Sequence, residues 1–231
     1  MTTISANLQA VRARIVAAAE ACGRNPAGIA LLAVSKTWPA ADVLAAGEAG
    51  QRAFGENYVQ EGVAKATTLA SEGYVWHFIG PLQSNKTRSV AETFAWVHSI
   101  DRLKIAERLS EQRPEHLPPL EVCVQVNVSG EASKSGVAPA EVPALAHAVA
   151  ALPRLRLRGL MAIPEPVDGF EAQRVPFRRL RELQAVLCAE GLALDTLSMG
   201  MSHDLEAAIA EGATIVRVGT AIFGARSRPV A

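Results

Sequence analysis

The feature that most constrains the fold of this chain is a regular alternation between apolar runs and helical stretches. Eight runs rich in aliphatic and β-branched residues are separated by seven stretches in which apolar residues recur at helical spacing. Strands that alternate with helices pair in parallel, and eight such units predict a closed barrel without an exposed sheet edge. We predict strands at 31–36, 52–57, 74–80, 96–101, 120–129, 155–163, 196–202 and 214–220, and helices at 39–50, 56–72, 83–92, 101–113, 139–151, 169–190 and 204–211.

A further helix is predicted before the first strand, where Ser5 can cap its start and Gly23 ends it. The alternative fold is an open doubly wound sheet, which would place a glycine-rich GxGxxG turn after the first strand. The corresponding segment reads SKTWPA and carries no such turn. We therefore expect an α/β protein, a single (β/α)8 TIM barrel with an extra N-terminal helix, over residues 1–231.

Composition narrows the classes of partner. The 23 basic residues balance the 23 acidic residues, and this neutrality argues weakly against a nucleic-acid binder. No apolar run is long enough to span a membrane, and the N-terminus lacks the pattern of a signal peptide. The three cysteines are scattered, which is typical of reduced thiols in the cytoplasm. No metal-binding motif accompanies the histidines, so we expect a cytoplasmic protein without a metal.

Polar residues cluster where the predicted strands end, and active sites of barrels are built at those ends. Lys36 ends the first strand after the apolar run LLAV, and Asn57 ends the second. Partial desolvation of Lys36 would disfavour its ammonium form, which suits an amine that attacks an aldehyde. A solvated lysine that extends outward from the strand end is the alternative.

The loops after the seventh and eighth strands of barrels often bind phosphate. Here Ser202 and Thr220 offer hydroxyl groups, Gly219 allows a ligand close to the backbone, and Ser202 precedes a predicted helix whose first amides favour an anion. The alternative is a helix-capping serine and an ordinary glycine–threonine pair at a strand end. Strand alternation places Arg217 on the same side as Gly219.

Arg217, inside a barrel, requires a partner. A ring nitrogen would suffice, and a buried ion pair with a carboxylate such as Glu56 is the alternative. Met161 could pack on a flat ring or be a core methionine. His77 could equally be a core histidine or a ligand contact.

Several stretches together resemble one family. LLAVSKTWPA, FGENYVQE, WHFIGPLQSNKTR, VNVSGEASKSGV, LRLRGLMAIP and LSMGMSHDLEAAIAEGATIVRVGTAIFGAR occur in this order over residues 31–226. They resemble the pyridoxal phosphate homeostasis proteins, whose fold is similar to the N-terminal barrel domain of alanine racemase. The resemblance implies that the chain binds pyridoxal 5′-phosphate (PLP) and takes part in vitamin B6 homeostasis.

The resemblance also assigns residues. It implies that Lys36 forms a Schiff base with PLP, that Asn57 lies beside the cofactor, and that Arg217 faces the pyridine nitrogen. It places Ser202 and Gly219-Thr220 on the phosphate. Lys134, in the SKSG segment, resembles the position of a second lysine linked to cofactor transfer in this group.

Two functions stay open at this stage, with a third less favoured. A binder without catalytic turnover would hold PLP and deliver it to PLP-dependent apoenzymes. This is the expectation, because the tyrosine that serves as second acid/base in alanine racemase comes from a C-terminal domain absent from this sequence. That absence also favours a monomer. The alternatives are a minimal PLP-dependent, racemase-like enzyme and a cofactor-free aldolase that uses Lys36.

Overall fold

The computed structural model describes residues 3–130 and 135–225, so Lys134 lies outside the described residues. Eight parallel strands close into a barrel in the order of the chain, which confirms the predicted fold. The strands are β1 (Ala30–Val34), β2 (Ala53–Glu56), β3 (Val75–Phe78), β4 (Trp96–Ile100), β5 (Leu120–Gln125), β6 (Leu155–Met161), β7 (Thr196–Ser198) and β8 (Ile215–Val218).

The helices lie before, between and after the strands. They are α1 (Ile4–Ala21), α2 (Ala40–Glu48), α3 (Val59–Thr68), α4 (Thr87–Thr93), α5 (Leu103–Gln112), α6 (Val142–Ala150), α7 (Phe170–Ala189), α8 (Leu205–Ala210) and α9 (Thr220–Phe223). Helix α1 is the extra N-terminal helix, but Thr3 rather than Ser5 caps it, because the Thr3 hydroxyl accepts the amide hydrogen of Ala6 at 3.2 Å. In the part of the chain that the structure describes, every helix is too short or too polar to cross a lipid bilayer.

The strands are shorter than the sequence predicts, and the difference falls at the end where the site lies. Strand β7 stops at Ser198, and Gly200 then adopts a φ of 94°, a left-handed conformation that an extended strand cannot accommodate. Ser202 therefore lies in a loop instead of at a strand end. Strand β8 likewise stops at Val218, and Thr220 begins the short helix α9.

The main core lies between the strands and the surrounding helices. Its largest fully buried side chains include Phe54, Phe78, Phe94 and Phe177. A separate small cluster of buried side chains consists of Leu32, Val34, Ile79 and Ile215. Because Val34 and Ile79 also line a cavity at the mouth of the barrel, this cluster gives the cavity an apolar wall.

Candidate functional site

A cavity of about 270 Å³ opens at the carboxyl ends of the barrel strands. Six of the seven residues predicted to bind a cofactor line it: Lys36, Asn57, Ser202, Arg217, Gly219 and Thr220. The seventh, Met161, is fully buried in β6 and is not among the residues that line the cavity. The closed barrel thus brings together side chains from the ends of four strands, as the prediction required.

The backbone around Lys36 is held from both sides. Lys36 is half-buried, and Thr37 follows it with a φ of 69°, which is uncommon for a residue other than glycine. The ammonium group of Lys65 donates to the carbonyl oxygen of Ser35 at 2.7 Å. A carboxylate oxygen of Glu61 accepts the amide hydrogen of Thr37 at 2.5 Å. Contacts from helix α3 therefore fix the peptide units before and after Lys36.

Those contacts belong to a cluster of charges, which we call the α3 clamp and which consists of the buried Glu56 and Lys65 and the partly exposed Glu61. The ammonium group of Lys65 also donates to Glu56 at 2.8 Å and to Glu61 at 2.6 Å. The hydroxyl of Ser35 donates to the same oxygen of Glu56 at 2.6 Å. Burial raises the pKa of Glu56, while the bonds from Lys65 and Ser35 oppose that rise. The suggested ion pair between Glu56 and Arg217 is therefore wrong, because Glu56 pairs with Lys65.

Arg217 is buried, and its hydrogen-bond partners among the described residues are all uncharged. One nitrogen, Nη1, donates to the carbonyl oxygen and the hydroxyl oxygen of Ser198 at 2.5 and 2.7 Å, and Nη2 donates to the carbonyl oxygen of Ala162 at 2.9 Å. Burial lowers the pKa of Arg217 to about 10, whereas the more distant Asp204 raises it. The guanidinium thus stays charged at neutral pH, and three of its five N–H groups are used.

A buried cation that contacts only neutral groups is costly unless another acceptor reaches it. Since Arg217 lines the cavity, its remaining N–H groups suit an acceptor on a bound molecule. Asn57 gives a second indication, because its Oδ1 is buried without a hydrogen-bond partner in residues 3–130 and 135–225. Gly80 packs closely against Asn57, because a Cβ atom added to Gly80 would lie 2.8 Å from the Cα atom of Asn57.

Ser202 is held beside the cavity by the loop that follows β7. A carboxylate oxygen of Asp204 accepts the amide hydrogen of Met201 at 2.5 Å, and Arg14 of helix α1 donates to the carbonyl oxygen of Ser202 at 3.0 Å. On the neighbouring strand, Gly219 and Thr220 follow β8. Ser202, in the loop after β7, and Thr220, the first residue of α9, therefore both line the cavity, which is an arrangement suited to phosphate oxygens.

The sequence pattern did not single out other residues of the cavity wall, including Trp38, Ile163 and Met201. His203 also lines the cavity, although the sequence alone assigned it no function. Trp38, Ile163 and Met201 are apolar side chains that belong to no chemical motif, and only the loop geometry brings them to the cavity. The one sequence signal for Trp38 is its position directly after the Lys36 turn, which could have indicated that Trp38 lies beside the cavity.

The ambiguity over His77 is resolved by a second histidine that the sequence analysis did not consider. Nδ1 of His77 lies 2.9 Å from Nε2 of His98, and Nδ1 of His98 lies 2.7 Å from the hydroxyl of Ser198. Burial lowers the pKa of His77 to about 3 and moves the pKa of His98 well below its usual range. His77 is thus a core residue, linked through His98 and Ser198 to Arg217.

Comparison with known proteins identifies the family. A family model described as the alanine racemase N-terminal domain matches residues 6–227. The pyridoxal phosphate homeostasis protein of Pseudomonas aeruginosa PAO1 is 66% identical over 226 residues, which cover 98% of this chain and 97% of that protein. The chain belongs to the pyridoxal phosphate homeostasis protein family. A second family member, from Escherichia coli K12, is 58% identical over 98% of each chain.

Solved structures also resemble this chain. PipY of Synechococcus elongatus PCC7942, solved with PLP bound, is 37% identical, has a TM-score of 0.84, and is matched over 96% of this chain and 100% of its own. Alanine racemase of Corynebacterium glutamicum is 18% identical with a TM-score of 0.67, and is matched over 97% of this chain and 63% of its own. The latter likeness concerns the fold alone.

Proposed function

We propose that this chain holds PLP as a Schiff base on Lys36 and serves vitamin B6 homeostasis without catalytic turnover. The observation that carries the proposal is one cavity lined by a lysine, by a charged guanidinium with neutral partners, and by two hydroxyl-bearing residues that follow β7 and β8. The names of the curated relatives and the PLP bound to PipY support the same ligand.

The covalent step is a condensation between Lys36 and the aldehyde of PLP. The Nζ atom of the neutral amine attacks the aldehyde carbon, a carbon–nitrogen double bond replaces the carbonyl, and the oxygen leaves as water with both amine hydrogens. Lys36 lies in a turn that the α3 clamp fixes on both sides. A fixed turn keeps the amine directed into the cavity, so less conformational freedom is lost when the bond forms.

The other cavity residues bind and orient the cofactor. The hydroxyls of Ser202 and Thr220 donate to the phosphate, and Gly219 leaves room for it beside the backbone. Arg217 donates to the pyridine nitrogen and, since arginine has no acceptor, favours the unprotonated ring. Such a ring is a weaker electron sink, which suits a carrier. The role of Met161 as a ring contact stays a prediction.

A racemase-like enzyme is the second candidate, and His203 is the observation that favours it. Its imidazole lines the cavity and lies 3.5 Å from a carboxylate oxygen of Asp204, so it could exchange protons with a substrate. However, His203 follows Ser202 directly and belongs to the proposed phosphate loop. Tyr74 packs against Phe54 in the barrel wall. Neither arrangement supplies an obvious second acid/base, which supports the carrier.

We also propose that the protein acts in the cytoplasm as a monomer and passes PLP to PLP-dependent apoenzymes. Neutral net charge supports a role without nucleic acid. A gel-filtration profile with light scattering tests the oligomeric state. Transfer is tested by mixing the loaded protein with an apoenzyme in the presence of a phosphatase that consumes free PLP. Activation no faster than with free PLP alone contradicts delivery.

The central experiment is borohydride reduction of the PLP-loaded protein followed by digestion and mass spectrometry. The reduced adduct is expected on Lys36, and Lys36→Ala is expected to lose the visible absorption band. Lys104, an exposed lysine on helix α5, provides the control variant Lys104→Ala. Recovery of the adduct on another lysine alone would refute the proposed role of Lys36.

Catalytic turnover needs its own measurement. Incubation of the loaded protein with L- and D-amino acids, followed by chiral analysis, is expected to show no conversion. Conversion that disappears in both Lys36→Ala and His203→Gln would instead establish the racemase-like candidate. Conversion that survives in Lys36→Ala would indicate a contaminating enzyme.

A further inference from the structure

A chain of buried hydrogen bonds crosses the barrel interior below the cavity. It runs from the guanidinium of Arg217 to the hydroxyl of Ser198 at 2.7 Å, then to His98 at 2.7 Å, and from His98 to His77 at 2.9 Å. The four residues come from strands β8, β7, β4 and β3. All four are at least 95% buried, so water does not compete readily for these bonds.

The chemistry of the four groups fixes the direction of every bond. Arginine can only donate, so the hydroxyl oxygen of Ser198 accepts from Arg217. The single hydroxyl hydrogen of Ser198 then goes to Nδ1 of His98, its other partner among the described residues. His98 therefore carries its hydrogen on Nε2 and donates it to Nδ1 of His77. His77 in turn must carry its own hydrogen on Nε2.

The two imidazoles are neutral in this arrangement. Burial lowers the pKa of His77 to about 3, and burial together with His77 and Arg217 moves the pKa of His98 well below its usual range. The positive charge thus stays on Arg217, which lines the cavity, and is not shared with the histidines. A charged His98 would donate from both ring nitrogens, so the hydroxyl hydrogen of Ser198 would lose its acceptor, Nδ1 of His98.

We infer that His98 is a positioning residue for Arg217: it accepts the hydroxyl hydrogen of Ser198 and so commits the hydroxyl oxygen to hold the guanidinium against the cofactor ring. His77 completes the chain by accepting from His98 and keeping it in one tautomer. The inference rests on the proposed PLP site. It adds Ser198, His98 and His77 to that site, and none of these three residues lines the cavity itself.

Without these buried hydrogen bonds, the guanidinium of Arg217 would no longer be held in one orientation. If His98 cannot accept, the Ser198 hydroxyl rotates its hydrogen toward the carbonyl oxygens that Arg217 now uses. The guanidinium would then compete with the hydroxyl for the carbonyl of Ser198. A displaced guanidinium contacts the ring nitrogen less well, so the cofactor leaves faster and the nitrogen is more easily protonated.

Two substitutions at His98 separate positioning from packing. Asparagine places an amide oxygen where Nδ1 of histidine lies and can still accept from Ser198. Glutamine places its terminal amide nearer the position of Nε2 and loses that acceptor. We expect His98→Gln to speed PLP release about 10-fold, equal to about 1.4 kcal/mol, with an altered pH dependence of its visible spectrum. His98→Asn is expected to restore most of the retention.

The measurement is the decay of the visible band after dilution with a phosphatase that consumes free PLP. Equal release rates and spectra in wild type, His98→Gln and Ser198→Ala would overturn the inference, as would equal losses in His98→Asn and His98→Gln. Failure of the wild type to bind PLP at Lys36 is a different result and contradicts the proposed function instead.

A readout on the cofactor-free protein is independent of both PLP and variant folding. Nitrogen-15 NMR of histidine-labelled wild-type protein reports which imidazole nitrogen carries hydrogen. His98 and His77 are expected to be neutral, with hydrogen on Nε2 and Nδ1 unprotonated at neutral pH. A protonated Nδ1 on His98 would reverse the bond to Ser198 and refute the chain.

Discussion

Replacement of Lys65 by methionine tests the α3 clamp that fixes the Lys36 turn. The ammonium group of Lys65 donates to Glu56, Glu61 and the carbonyl oxygen of Ser35 at 2.8, 2.6 and 2.7 Å. Methionine retains most of the side-chain volume but none of these bonds. Glu56, whose side chain is 0% exposed, would be left as a buried carboxylate without its cation.

The expected loss in the free energy of unfolding follows from the burial of this ion pair. Removal of one partner of a buried ion pair costs about 3–5 kcal/mol, and the side chain of Lys65 is only 7% exposed. Burial already raises the pKa of Glu56, so partial protonation of the carboxylate brings the cost toward the lower value. For a domain of this size each kcal/mol lowers Tm by about 2–4 °C, and we expect a fall of roughly 6–12 °C.

Urea unfolding of the cofactor-free protein, followed by far-UV circular dichroism, measures the free energy of unfolding. The control is Lys104→Met on the exposed side of helix α5, which is expected to change the free energy by less than about 0.5 kcal/mol. The double variant Glu56→Gln/Lys65→Met has no unpaired carboxylate at position 56. We therefore expect it to recover part of the free energy of unfolding that Lys65→Met loses. A loss below about 1 kcal/mol for Lys65→Met, typical of an exposed ion pair, would refute the clamp.

Three further outcomes follow from the structure. Thr220→Val is expected to weaken PLP retention about 10-fold without abolishing the Schiff base, and unchanged retention in the release assay would contradict its phosphate contact. Gly80→Ala should lower the free energy of unfolding by about 1–3 kcal/mol, because its Cβ would overlap the backbone of Asn57, whereas Gly28→Ala, where the Cβ meets nothing within 4 Å, serves as control. The cofactor-free protein should also lose stability as pH falls below about 6.5, since the pKa of His77 drops to about 3 on folding and the unfolded state then binds more protons. His77→Gln should reduce that pH slope by up to about 1.4 kcal/mol per pH unit, and equal slopes would contradict it.

The sequence by itself determined the barrel and most of the cavity. Alternation between strand and helix patterns is local, and eight repeats of it leave few arrangements other than a closed parallel sheet. Because parallel strands carry their carboxyl ends to one face, polar residues that follow different strands, such as Lys36, Asn57 and Arg217, could be expected to meet. Their convergence required no knowledge of side-chain contacts.

Tertiary structure decided how those residues are supported. The hydrogen bond between His98 and Ser198 joins residues 100 positions apart, and the bond between Thr37 and Glu61 joins residues 24 positions apart. Such pairs depend on barrel register, loop lengths and the point at which β7 ends, none of which is encoded in a short motif. The alternative of an ion pair between Arg217 and Glu56 was wrong for the same reason, because burial on the helix side of the strand is a property of the closed barrel rather than of the segment.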